Sequence, residues 1–181
     1  MSDDHQLAGT WTIDPSHSRV GFSTRHAMVT RVTGAFTDVA GEAVFDPKDW
    51  SASTVNVAVQ VSSVDTRSAD RDQHLLSEDF FDVVSYPEIT FVSTGVDEVG
   101  ESSFIITGDL TIRGTTKSVA IPLELLGITR DPAGTLRAGF EGSRRIDRRD
   151  WDVRWNTPLD SGGVLVSDRI TLEFELSLTR S

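Results

Sequence analysis

Strict alternation of apolar and polar residues is the feature that most constrains what this chain can fold into. Valines occupy every second position from 55 to 61, and apolar residues occupy every second position from 170 to 178. Similar alternating faces run through 104–112 and 119–125. Because successive side chains of a β-strand point to opposite faces, each segment predicts an antiparallel strand with one buried and one solvated face.

Short turn signals separate these segments and predict how the strands are connected. Val99-Gly100, Arg113-Gly114 and the stretch 131–134 each fit a tight turn between neighbouring strands. The predicted fold class is all-β: an extended, antiparallel, up-and-down β-barrel of about eight strands, with a two-sheet sandwich as the alternative. Pro122 lies within a predicted strand and cannot donate a ladder hydrogen bond, so we expect an edge or a bulge there.

One segment near residues 68–82 has the period of a helix and interrupts the strand pattern. Ser68 fits the N-cap position, and aspartates follow it in the first turn, where the helix dipole favours them. Two leucines and two phenylalanines between positions 75 and 81 supply an apolar side. Because so short a helix is marginal alone, we expect this insert to pack as a lid over one barrel end.

Length, charge and cysteine content exclude several kinds of partner and chemistry. The 181 residues carry a formal net charge of −11, which repels phosphate backbones and argues against nucleic-acid binding. The chain has no cysteine, which rules out disulfides and thiol catalysis. We predict a flexible tail at residues 1–9 and a single domain at 10–181. No apolar run reaches the ~20 residues of a membrane span, and the polar start lacks the features of a secretory signal, so a cytoplasmic protein is expected.

Four sequence blocks carry a more specific pattern. They lie at 11–18 (WTIDPSHS), 63–91, 108–117 (GDLTIRGTTK) and 146–155 (IDRRDWDVRW). In this order, and over nearly the whole chain, they resemble the YceI-like family. The resemblance implies a lipocalin-like antiparallel barrel with a helical insert, and a binder of polyisoprenoids or other long amphiphiles. Many similar proteins are exported and many are dimers. Asp152 departs from the pattern, because the family usually carries Gly at this position.

The aromatic residues are spread over most of the predicted strands and the insert. Each one alone is compatible with a filled core, whereas the family resemblance implies that they surround a ligand. The residues predicted to line an apolar cavity are Phe22, Phe36, Leu75, Phe80, Phe81, Phe91, Phe104, Leu110, Phe140, Trp155 and Phe174.

Polar residues in or near the same blocks are candidates for contacts with the head group of an amphiphile, because a desolvated charge or dipole at the barrel mouth needs partners. The candidates are His17, His26, Arg71, Asp72 and His74. The histidines have two alternative roles, namely hydrogen bonds to neighbouring groups or ligation of a metal. Asp70 and His74 are spaced i,i+4, which favours a pair on the helix surface.

The run from Ser143 to Trp155 is the one concentration of basic residues. Arginines next to aromatics could bind nucleic acid or a pyrophosphate head group. Aspartates alternate with these arginines, so a solvated, salt-bridged strand is the simpler interpretation.

These observations predict a non-enzymatic carrier or sequestering protein for a long apolar molecule of the polyprenol, quinone or fatty-acid type. No cofactor is predicted. A homodimer is expected from the resemblance and from the break at Pro122. Two alternatives remain open. One is an enzyme acting on a small apolar substrate through His17, His26 and His74, and the other is an interaction module with a solid core.

Overall fold

The computed structural model describes residues 6–159 and 163–180. Most of this part of the chain is extended, as the alternating patterns predict, and one short helix lies where the insert was expected. The strands are β1 (Gly9–Ile13), β2 (Arg19–His26), β3 (Thr30–Phe36), β4 (Val39–Phe45), β5 (Thr54–Gln60), β6 (Val64–Asp65), β7 (Glu88–Gly100), β8 (Ser103–Ile112), β9 (Thr115–Arg130), β10 (Leu136–Asp147) and β11 (Arg169–Arg180), and the helix is α1 (Ala69–Leu76).

The strands close into an antiparallel barrel. In the sheet, β1 is followed by β4, β5, β7, β8, β9, β10 and β11, and the pairing of β1 with β11, for example Trp11 with Arg180, closes the ring. Near the other end of the barrel, β2 extends β1, β3 extends β4 and β6 extends β5, because β2 pairs with β11 and β3 pairs with both β2 and β6. When each of these three pairs is counted as one interrupted strand, the described residues form a wall of eight strands in up-and-down order, which confirms the predicted fold class.

The ladder between β9 and β10 is incomplete. It runs from Leu136–Arg130 to Glu141–Glu124, with a register shift at Gly139/Phe140, and it ends before Pro122. Pro122 lacks an N–H group, and its carbonyl oxygen lies so close to Gly142 that a Cβ atom there would clash. The predicted strand edge is thus observed at Pro122, on the side that faces β10, whereas the bulge lies further along β9, between Leu125 and Gly127.

One end of the barrel, called here the floor, is closed by packed aromatic rings. Trp50 meets Phe104 edge-on at 5.0 Å between centroids, and Phe45 and Phe140 extend the cluster at 6.1 Å. Trp11 is fully buried beside it and donates its indole N–H to the Leu7 carbonyl at 2.7 Å. Leu7 is also fully buried, and β1 begins at Gly9, so residues 7–9 of the predicted tail pack against the barrel. Residues 1–5 lie outside the described part of the chain.

The opposite end is covered by two segments. The first is the lid, defined as α1 and the following loop, 69–86. Ser68 caps α1 by accepting the Arg71 N–H at 3.3 Å, and the loop folds back through Phe81 N–H to Leu75 O at 2.9 Å. The second segment follows β10 and begins with a 3-10 turn at Arg148–Trp151.

Asp152 ends this 3-10 turn in a left-handed conformation, with φ 61° and ψ 24°. Its N–H donates to the carbonyl of Arg149 at 3.0 Å. Glycine adopts such a conformation without steric cost, and aspartate tolerates it better than most residues. The departure from the expected glycine therefore leaves the turn intact. Within the described residues, no helix has the length and apolar character needed to cross a membrane.

Candidate ligand-binding cavity

The barrel encloses a cavity of about 200 Å³ between the lid and the floor. A second space of about 40 Å³ adjoins the floor. The two share lining residues, so they follow one another along the barrel axis. The shared residues are Val55, Val57, Ile106, Leu123 and Leu176.

Two glycines help to keep the barrel interior open. A Cβ atom on Gly34 would lie 2.5 Å from the Phe22 ring, and one on Gly108 would lie 2.5 Å from the Phe91 ring. A residue larger than glycine at either position would clash with the ring, so each glycine leaves room for a ring along the wall. The aromatic groups lie along the wall, and a central void remains despite their size.

Most of the residues predicted to line an apolar cavity do so. Those in the main cavity are Phe22, Phe36, Leu75, Phe80, Phe81, Phe91, Leu110 and Phe174. Phe104 and Phe140 line the smaller space at the floor. Trp155 lies outside the lining, where it packs on the lid at 5.4 Å from the Phe80 ring centroid.

His74 belongs to the lid rather than to the cavity wall. Its ring meets Phe80 edge-on at 5.0 Å and Trp155 at 4.6 Å between centroids. Its Nε2 atom lies 2.8 Å from a carboxylate oxygen of Asp79. The partner of His74 is therefore Asp79, which the loop after α1 brings to the ring, and not the predicted i,i+4 partner Asp70.

Arg71 and Asp72 hold the start of the lid. Asp72 accepts the Thr66 N–H at 2.9 Å and its hydroxyl at 2.6 Å, and Arg71 donates from Nε to the same hydroxyl oxygen at 2.8 Å. Arg71 also donates to the Thr66 carbonyl. Both side chains are thus engaged by the turn before α1, and neither is part of the cavity lining.

His17 lies on the outer surface, where 66 % of its side chain is exposed. Its Nδ1 atom is 2.7 Å from Asp14, and Arg137 donates to the same carboxylate oxygen at 2.7 Å. Arg137 also binds Asp131 at 2.9 Å. The Arg137 guanidinium and Ser16 hold the pKa of the Asp14 carboxyl well below its usual range. His17 therefore belongs to a surface ion-pair network.

His26 ends β2, where its backbone bridges to Val166. The three candidate histidines thus have separate surroundings, and none lines the cavity. Among residues 6–159 and 163–180, no three histidine, aspartate or glutamate side chains are grouped so that they could hold a metal ion.

Arg148 is a cavity residue that the sequence analysis did not single out. It is 5 % exposed and is the one charged side chain among the described residues lining the main cavity. It donates to three backbone carbonyls, from Nε to Ser167 at 3.0 Å, from Nη1 to Val153 at 2.8 Å and from Nη2 to Val166 at 3.5 Å. Burial lowers the pKa of its guanidinium, which stays protonated because the ordinary pKa of arginine is so high.

The sequence does contain a signal for this placement. In β10, Ile146 lines the cavity, and Arg148 follows it by two positions, on the same face. The other arginines of the run fit the predicted solvated strand better. Arg149 pairs with Asp147 at 2.7 Å, and the exposed Arg154 pairs with Asp152 at 3.0 Å.

A closed eight-stranded antiparallel barrel with an apolar interior and a lidded end defines a lipocalin-like barrel protein. Residues 11–178 match the family model of the YceI-like domain. The chain belongs to the YceI-like family. It is 40% identical over 150 residues to protein YceI of Escherichia coli O17:K52:H18, an alignment that covers 82% of this chain and 78% of that protein. A UPF0312 protein of Photorhabdus laumondii is equally similar, with the same coverage.

Solved structures show the same barrel. BcnA of Burkholderia cenocepacia superposes with a TM-score of 0.79 at 25% identity, covering 91% of this chain and 98% of that one. A YceI protein of Campylobacter jejuni gives 0.74 at 27% identity, covering 87% and 90%. A polyisoprenoid-binding domain from Saccharophagus degradans, implicated in plant cell wall breakdown, gives 0.73 at 15% identity, covering 94% and 98%. At that identity the last comparison concerns the fold alone.

Proposed function

We propose that the protein binds one long apolar or amphiphilic molecule, of the isoprenoid type, inside the barrel and acts as its carrier or sequestering protein. The observation that carries this proposal is the cavity of about 200 Å³, whose lining, in the part of the chain that the structure describes, is apolar except for Arg148 and two threonines, Thr24 and Thr90. A neighbour of the same fold, from Saccharophagus degradans, is described as a polyisoprenoid-binding domain, and the proposal extends that ligand class to this chain.

The size of the cavity sets the length of chain that it accepts. A single water needs about 10–15 Å³ of such space, so about 200 Å³ holds on the order of fifteen methylene-sized groups. This corresponds to a fatty chain of ordinary length or to about three isoprene units. A longer polyprenol would have to reach into the floor space or leave its far end outside the lid.

Burial of the chain supplies the affinity. Each methylene removed from water contributes about 0.8 kcal/mol, which is roughly a fourfold gain in affinity per added group. The gain should stop once the cavity is full. Affinity for a series of alcohols of increasing chain length should therefore rise and then level off near fifteen or so carbons.

A variant that fills the barrel tests the proposal. Val57 on β5 lines both spaces, so Val57→Trp should place an indole across the axis. Val92 on the neighbouring strand β7 points outward and is 52 % exposed, so Val92→Trp is the matched control. Binding of farnesol is measured by its displacement of a fluorescent probe. The wild type and Val92→Trp should bind farnesol, whereas Val57→Trp should bind it at least tenfold more weakly. Equal binding by all three folded proteins would overturn the proposal.

A further inference from the structure

We propose that Arg148 selects ligands whose head group is an oxyanion, a carboxylate or a phosphate, over neutral ligands of the same chain length. This inference rests on the proposed function of the cavity and assigns the chemistry of its polar end. It replaces the five head-group candidates of the sequence analysis, none of which lines the cavity.

The Arg148 guanidinium has N–H groups that could bind a ligand. A guanidinium carries five N–H groups in a planar fork, and three of them are directed to the carbonyls of Ser167, Val153 and Val166. The remaining N–H on each terminal nitrogen has no acceptor among residues 6–159 and 163–180. Within the described residues, the nearest carboxylate is Asp168, 3.7 Å from Nη2, beyond hydrogen-bonding distance. A carboxylate or a phosphate can accept hydrogen bonds from two such N–H groups at once, in a bidentate pair.

The charge of Arg148 is balanced only in part, by the ion pair with Asp168 and by the nearby Asp147. Asp168 is shared with Arg149, whose Nη1 lies 3.6 Å from it, and it is 37 % exposed to water. No aspartate or glutamate is found among the described residues lining the main cavity. A buried cation that faces an apolar space is stabilised by an anion placed there, although the protein as a whole is acidic.

Two more cations lie on the same face of the wall. Lys117 pairs with Leu110, and Arg144 pairs with Leu172. Because paired residues in an antiparallel ladder project to the same face, both side chains share the face of cavity-lining residues, yet both are exposed. They lie on β9 and β10 beyond the point where the ladder between these strands ends.

The Arg148–Trp151 turn packs against β9. Arg144 on β10 and Lys117 on β9 flank the unpaired stretch of the wall, and Arg148 follows Arg144 by four positions, just beyond the end of β10. Exposed Lys117 and Arg144 would attract an oxyanion from solvent, and the buried guanidinium would hold it while the chain fills the cavity.

The test compares three ligands with one chain: palmitate, hexadecyl phosphate and hexadecanol. Wild-type protein should bind one or both anions at least about tenfold more tightly than the alcohol, because hydrogen bonds to charged groups are the stronger kind. Which anion is preferred distinguishes a carboxylate ligand from a phosphate ligand. This comparison needs no variant, so it holds even where a substitution at this buried position hinders folding.

Arg148→Met should reduce the anion-to-alcohol affinity ratio to near one, and Arg148→Lys should give an intermediate ratio. Arg149→Met is the matched control, since Arg149 is exposed and pairs with Asp147, and it should leave the ratio as in the wild type. A purely structural role of Arg148 would weaken all three ligands in parallel.

An equal affinity of the wild type for anions and alcohol would overturn this inference while leaving the proposed function standing. Failure of all three ligands to bind would instead overturn the proposed function itself.

Discussion

Phe81 in the lid offers a direct test of how the cavity retains its ligand. Its half-buried ring lines the cavity and meets the Phe36 ring edge-on at 5.7 Å. Its backbone N–H, which closes the loop onto Leu75, is untouched by a change of side chain. Phe81→Ala should therefore remove packing between lid and barrel without unfolding the loop.

The expected loss of stability is moderate. Truncating a fully buried phenylalanine costs about 3–5 kcal/mol, and an aromatic pair contributes about 0.5–1.5 kcal/mol of its own. For this half-buried ring we expect about 1–2 kcal/mol in the free energy of unfolding. A similar amount taken from the contact with a bound chain corresponds to roughly 5–30-fold faster release.

Denaturant unfolding measures the first quantity, and stopped-flow displacement of a fluorescent fatty-acid probe measures the second. Val84→Ala is the matched control, because Val84 lies in the same loop and is 92 % exposed; it should change neither quantity. If Phe81→Ala lowers stability but releases the probe at the wild-type rate per folded molecule, Phe81 is a core residue and the 69–86 segment does not retain the ligand.

Three further predictions concern the turn, the surface network and the assembly. Asp152→Ala should destabilise the protein by about 1 kcal/mol in denaturant unfolding, because alanine pays the cost of the left-handed conformation, whereas Asp152→Gly should be neutral or stabilising; equal losses in both variants would contradict this. Asp14 has a lowered folded-state pKa, so its contribution to stability is present above its unfolded pKa of about 3.9 and is lost as the pH falls toward the folded value. Asp14→Asn should therefore lose less stability than the wild type between about pH 5 and about pH 2.5, and parallel pH profiles would refute this role. Finally, we predict a homodimer in solution, and a light-scattering mass that stays near 19.8 kDa at all concentrations would exclude it.

The barrel was predictable because alternation reports directly which face of a strand is buried. Val55, Val57 and Val59 lie on the cavity side as the pattern indicates, and the rule needs no knowledge of the partner strand. The helix of the lid was also predictable, because its helical period and its Ser68 cap are local features of the sequence.

The polar end of the site was not predictable from spacing along the chain. His17 interacts with Asp14, and Asp14 with Arg137, which is 123 positions away in sequence. Arg71 and Asp72 are engaged by Thr66, because the turn before α1 needs partners for its polar groups. Motif blocks identified these residues without showing whether they serve the ligand or the fold.

Arg148 was concealed by its neighbours. It lies within a run in which arginines alternate with aspartates, a composition that is typical of a solvated strand. Arg149 and Arg154 follow that rule through pairs with Asp147 and Asp152. Continuing the inward alternation from Ile146 by one step would have placed Arg148 on the cavity face.

Native mass spectrometry can show directly whether the barrel holds one long apolar molecule. The purified protein should carry a co-purified lipid that organic solvent extracts. Otherwise the emptied barrel should take up one molecule of added polyprenol or fatty acid per protein molecule. The Val57→Trp variant should do neither. Absence of any extracted lipid, together with no uptake of polyprenol or fatty acid by folded wild-type protein, would contradict the account.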